Sequence, residues 1–216
     1  MNLKRILSFA VNDKEINTII DSILIDKGIS SLFIAGMKYT KMKEEPPAFS
    51  LGFSLCLDKL ELPIGFIFIS EQLSHLLNQE ELEFVIAHEL GHIMLNHSVV
   101  LALTTFGKEA ILELLISELK LTREKAQNII GVLKLLIANF SKKYRTIEEE
   151  ITAQTELEAD KYSASLIKKK EPAISCLKKF YIENPSGLSH ANRDGKFLFP
   201  ALTLEERIKA IERLKL

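Results

Sequence analysis

The chain has 216 residues, of which 47% are hydrophobic and 26% charged, with a formal net charge of −1. That balance excludes a disordered polyelectrolyte, and with no basic stripe it argues against nucleic acid as a partner. The length suits a single domain, 1–216, read as an α+β subdomain over 1–97 and a mostly helical subdomain over 98–216. The two cysteines, Cys56 and Cys176, stand apart in apolar surroundings with no C-x-x-C partner. Buried free thiols are the expectation, which suits a reducing compartment. The N-terminal MNLKRILSFAVNDKE lacks the apolar core and cleavage site of a signal peptide. No run reaches the roughly 18–20 apolar residues that span a bilayer. A soluble, cytoplasmic chain is therefore expected.

Taken in order, Asp13 caps a helix running to about Lys27, with Ile16, Ile19, Ile20, Ile23 and Leu24 at helical spacing and Gly28 as its stop. Three strand-like stretches follow: ISSLFIAGMKY, AFSLGFSLCL and IGFIFIS. A short helix at Ser70–Leu77 leads to Asn78, which with Glu81 forms a capping box for the next helix. Leu82, Val85, Ile86, Leu90 and Ile93 mark its buried face. Beyond His97 the pattern is helical: GKEAILELLISELK, then a Thr122-capped helix over Arg123–Lys143. A Thr146-capped helix with Glu149 at the capping-box position runs to about Lys170, and a last helix covers Leu204–Leu216. ENPSGLSHANRDGKFLFP, residues 183–200, reads as loop.

The chemistry concentrates in EELEFVIAHELGHIMLNH, residues 80–97. Residues four apart on a helix lie about 40° apart around its axis, so His88 and His92 project side by side, as two imidazoles on one zinc require. Glu89, next to His88, approaches from the flank and reaches a water on the metal instead of the metal. Gly91 costs roughly 1 kcal/mol of helix stability against alanine, which makes sense where something must come close to the backbone. His97, about 140° from the pair on a continued helix, reads as a helix-end or packing histidine.

A catalytic zinc usually takes three protein ligands. The third is sought in TAQTELEADKYSASLI, residues 152–167, where Glu156 and Asp160 share a helix face with Ala153, Leu157, Ala164 and Ile167. Glu158 falls roughly 160° from Glu156. Glu156 is thus the expected ligand, and Asp160 the acceptor for a ligand imidazole N–H, which fixes its tautomer.

LLNQEELEFVIAHELGHIMLNH followed by ELEAD resembles the HtpX and CAAX-prenyl-protease family of zinc metallopeptidases. PPAFSLGF, GFIFISEQLSHLL and the terminal TLEERI extend the resemblance over roughly 46–216. It implies a zincin-like fold of the gluzincin type with one Zn2+ per subunit. His88, His92 and Glu156 would be its ligands, Glu89 the general base and Asp160 the residue behind a ligand. It also matches Arg207 to the family's arginine near the C-terminus. Family members often carry Ser-His-Pro shortly before TLEER, where this chain has Pro200, Ala201 and Leu202. His190, in the preceding loop, is the nearest histidine and the candidate for that electrophilic role beside Arg207.

The leading expectation is a zinc-dependent endopeptidase acting on a peptide or protein, its extended substrate pairing with a sheet edge near GFIFIS. Two alternatives keep the metal in a structural role. One is a sensor of the antirepressor type, against which the long insertion 98–145 argues. The other is a non-enzymatic scaffold that keeps the metal for structure, or a latent enzyme whose loop 184–200 covers the cleft. EAILELLISEL and NIIGVLKLLIANF, within 108–140, are apolar around most of their circumference. Plain core is their leading use, with a homodimer interface or peripheral membrane contact as the alternatives.

Overall fold

The computed structural model describes residues 6, 9–41, 45–57, 60–97, 112–113, 115–118, 120–132, 148–183 and 203–216. Thr146, the loop 184–200 with His190, and Pro200–Leu202 lie outside them, as do 98–111 and 133–147. The elements are β1 (Val11–Asn12), α1 (Lys14–Ile25), β2 (Ile34–Tyr39), β3 (Ala48–Leu57) and β4 (Leu60–Ser70). Then come α2 (Glu71–Leu76), α3 (Gln79–Met94), a helical stretch at 123–132, α4 (Glu148–Ile167), α5 (Glu171–Glu183) and α6 (Leu204–Glu212). The architecture is mixed: one small sheet within a mostly helical chain.

Local chemistry sets the helix starts. Asp13 accepts from the Ile16 N–H, Ser70 from Leu73 N–H, and Asn78 and Glu81 close a reciprocal capping box. Gly28, at φ 68°, turns the chain after α1 in a conformation that only glycine adopts cheaply. α5 is a helix to which the sequence pattern assigned nothing. Pro172 sits in its first turn, where a missing N–H costs no helical bond.

The sheet order is β1-β2-β4-β3, with β2 parallel and β3 antiparallel to β4. Two strand limits differ from expectation. β2 begins at Ile34, after a turn at 32–33. β4 begins at Leu60, four residues before Ile64, and runs through Pro63. Pro63 pairs with Ser54, while β2 joins β4 only from Gly65 onward, so no ladder bond on the β2 side needs the absent N–H. GFIFIS lies on β4, the strand flanked by β2 and β3, so it offers no free edge. The outer strand of the described sheet on that side is β3.

Alternation along β4 divides the core between two layers. Ile67 and Ile69 belong to the layer that also holds Ile16, Ile20 and Leu24 of α1, Val85, Ile86 and Leu90 of α3, and Cys176 of α5. Phe66 and Phe68 face the opposite layer with Phe49, Leu51 and Phe53. Leu112, Leu115, Ala126 and Ile130 cover this second layer, so the described part of the apolar 108–140 region buries side chains against the sheet. Every residue of the expected buried face of α3 is buried, and so are Phe84, Ala87, Glu89 and Gly91 on its other sides. α3 is enclosed by β3, β4, α1, α4 and α5. Among the described residues no helix is long and apolar enough to cross a membrane.

Candidate metal centre

α3 supplies His88 and His92 from successive turns, and their Nε2 atoms stand 3.1 Å apart. α4 crosses against that face and brings Glu156 to both rings: Oε2 lies 3.4 Å from His88 Nε2 and Oε1 lies 3.4 Å from His92 Nε2. The three residues are close enough to hold one metal ion. The crossing depends on small residues. A Cβ on Gly91 would meet Tyr162 Cδ1 at 3.3 Å and the Ala159 backbone at 3.4 Å. Gly91→Val is therefore expected to wedge α4 away from α3, costing about 1–3 kcal/mol of stability by overpacking and lowering metal affinity with it. Gly91→Ala should stay near wild type, because a slightly tight contact, relieved by a few tenths of an ångström of shift in the Tyr162 ring, and better helix propensity roughly offset. Thermal melts and metal titration of the pair check this.

Asp160, fully buried one turn beyond Glu156, reaches behind the site. Its Oδ1 stands 3.0 Å from His88 Nδ1. The contact is at hydrogen-bond distance, but its angle is not that of a straight hydrogen bond. Arg207, buried on α6, grips both oxygens of Asp160: Nε to Oδ2 at 2.6 Å and Nη2 to Oδ1 at 2.7 Å. The same Nη2 lies 3.5 Å from Glu156 Oε2. Two of the three guanidinium nitrogens are thus engaged in holding carboxylates.

These charges set the proton affinities. Burial opposes the charged form of His88, but Asp160 and Glu156 outweigh it and hold its pKa up at about 10. Burial likewise opposes an ionised Glu156, yet hydrogen bonding to His88 and His92 holds it well below the usual range. Asp160 is also buried, and Arg207 overrides that to keep it ionised. The pocket between the two rings and Glu156 therefore favours a positive charge.

Glu89 is buried on the same helix, next to His88, with no hydrogen bond or ion pair to another described residue. His97 does not follow the helical extrapolation. α3 stops at Met94, Asn96 takes φ 63°, and His97 Nδ1 ends 3.2 Å from His92 Nδ1. Its other nitrogen, Nε2, lies 3.2 Å from Glu158 Oε2. Burial, reinforced by the charge of His92, pushes the His97 pKa down to about 4. Glu158 faces away from the three candidate ligands, as its helical angle demands, and meets His97 instead. The signal for this cluster was Asn96, a residue type suited to the left-handed position just past a helix end.

A model of Peptidase family M48 matches residues 11–215. A "Protease HtpX homolog" from Dictyoglomus thermophilum is 32% identical over 123 residues, covering 53% of this chain and 40% of that protein. The crystal structure of S. mikatae Ste24p aligns with 94% of this chain and 50% of its own, at 18% identity and a TM-score of 0.47. The chain thus spans half or less of the length of these relatives. With the family's pattern running over nearly the whole sequence, and the histidine pair and distant glutamate meeting at one point, the chain belongs to peptidase family M48.

Proposed function

We propose that the chain is a zinc-dependent endopeptidase. The observation that carries this reading is the spacing of the three donors. Ligands bonded to one tetrahedral zinc at about 2.0–2.1 Å stand about 3.3 Å from one another. His88 Nε2 and His92 Nε2 stand 3.1 Å apart and each lies 3.4 Å from a different oxygen of Glu156, so that one donor atom from each residue lies within 4.8 Å of the other two. Two imidazoles and one carboxylate are also a common donor set for catalytic zinc, leaving a coordination position open.

When bound, zinc supplies a Lewis-acidic charge that lowers the pKa of a coordinated water to about 7 and polarises a carbonyl. Glu89, uncommitted to any described partner, accepts the proton of the attacking water and delivers it to the leaving amine. Asp160 and Arg207 hold His88 and Glu156 in place. We assign Arg207 to that positioning, because its described contacts are with carboxylates. His190 keeps the electrophilic role that the resemblance gives it. An extended peptide pairs along the outer strand β3, which packs on α3.

The test joins metal analysis to a peptide or casein digest. The purified chain is expected to carry one zinc and to cleave. A chelator should abolish cleavage, and added zinc should restore it. A chain that cleaves equally well when stripped of metal would overturn the reading.

A further inference from the structure

Each ligand histidine has a second nitrogen, and the two are served differently. Behind His88 stands Asp160, locked by Arg207. Behind His92 stands His97, and behind His97 stands Glu158, itself held by Gln154 Nε2 at 2.7 Å from Oε1.

The backbone builds this second relay. The His97 N–H donates to the His92 carbonyl at 2.8 Å and the Asn96 N–H donates to the Ile93 carbonyl at 3.1 Å. With Leu95 as the C-cap and Asn96 in the left-handed region, these are the two bonds of a Schellman motif. That turn folds His97 back over the last helical turn. Asn96 Oδ1 also accepts the Ser54 N–H of β3 at 2.9 Å, tying the turn to the sheet edge.

Proton placement then follows from the two contacts. A carboxylate accepts only, so His97 Nε2 carries the proton toward Glu158. A neutral His97 then presents a bare Nδ1, and His92 Nδ1–H donates to it. With a metal in place of the proton between His92 and Glu156, this leaves His92 Nε2 free to bind it, on the side facing His88 and Glu156. The reverse arrangement would put the His92 proton on Nε2, where the metal must bind.

We propose that His97, backed by Glu158, is a positioning residue that fixes the tautomer and ring orientation of His92 for metal binding. The proposal rests on the zinc-site reading above, and its test separates the two. Zinc affinity is measured by competition with a chromophoric chelator, and site geometry by the visible absorption of the cobalt-substituted protein. Folding is followed by melting in excess chelator.

Loss of such a supporting contact typically weakens metal binding by about 10–100-fold. His97→Ala is expected to show that loss and an altered cobalt spectrum, with little change in the metal-free melt. His97→Asn, whose side-chain oxygen can accept from His92 Nδ1, should recover most of the affinity. Glu158→Ala removes a half-exposed carboxylate without threat to folding and should weaken binding several-fold. Wild-type affinity and spectrum in both Glu158→Ala and His97→Ala would overturn the proposal while leaving the zinc site standing. If His97→Ala does not fold, unchanged binding in Glu158→Ala together with no recovery in His97→Asn overturns it. A wild-type chain that takes up no zinc overturns the reading and the proposal together.

Discussion

Glu89→Gln is expected to keep the wild-type zinc content and to lose about 10²–10⁴-fold in kcat, the range for removing a general base. The substitution preserves size and hydrogen-bonding reach but removes the ability to accept a proton. Glu89 is not among the three converging ligands, so nothing in the metal set changes. It makes no hydrogen bond or ion pair with another described residue, so no polar contact among the described residues is lost either. The measurement is kcat on a fixed peptide beside zinc per chain and a thermal melt. A variant with wild-type turnover would remove Glu89 from the reaction. A variant that loses zinc would show that Glu89 serves the site and not the proton.

Arg207→Ala should be the most damaging single change to stability outside the hydrophobic core. Asp160 is fully buried and Arg207 nearly so, and two short bonds join them. Removing one partner of such a pair leaves an uncompensated charge and typically costs about 3–5 kcal/mol. Denaturant melts measure it, and a loss below about 1 kcal/mol would contradict the argument. Metal affinity should fall as well, since Asp160 stands behind His88 and Arg207 also approaches Glu156. The acid limb of the stability profile carries the same signature. The folded-state pKa of Asp160 lies below its unfolded value of about 3.9. Its contribution is therefore fully present above that unfolded value and is lost as pH falls through the folded one. In Arg207→Ala, where burial acts unopposed by the guanidinium, the Asp160 pKa rises and that contribution disappears at higher pH.

The local signals were legible because they depend on nearest neighbours along the chain. Asp13, Ser70 and Asn78 cap helices by bonding backbone N–H groups three residues away. Spacing alone placed His88 and His92 on one face, and Glu156 and Asp160 on another. Where local rules misled, a distant partner had changed the outcome. The strand-like stretch was read from Ile64, yet β4 starts at Leu60 and tolerates Pro63 because β2 has not yet arrived alongside. The same order of strands closed both sides of β4 and left β3 outermost, which pairing preferences along one strand do not reveal. His97 was misplaced because its angle assumed a continuing helix, whereas the turn at Asn96 reverses the chain.

By itself, then, the sequence determined which side chains could act together within each helix, since a 3.6-residue repeat fixes angles over a few turns. Only the tertiary structure decided that two helices more than fifty residues apart cross at Gly91 and Ala159, bringing Glu156 to both imidazoles. It also decided that Arg207 comes from a third helix to hold Asp160. Those meetings depend on how helices and sheet pack around shared apolar surface, a property of the whole chain that no short window of residues contains.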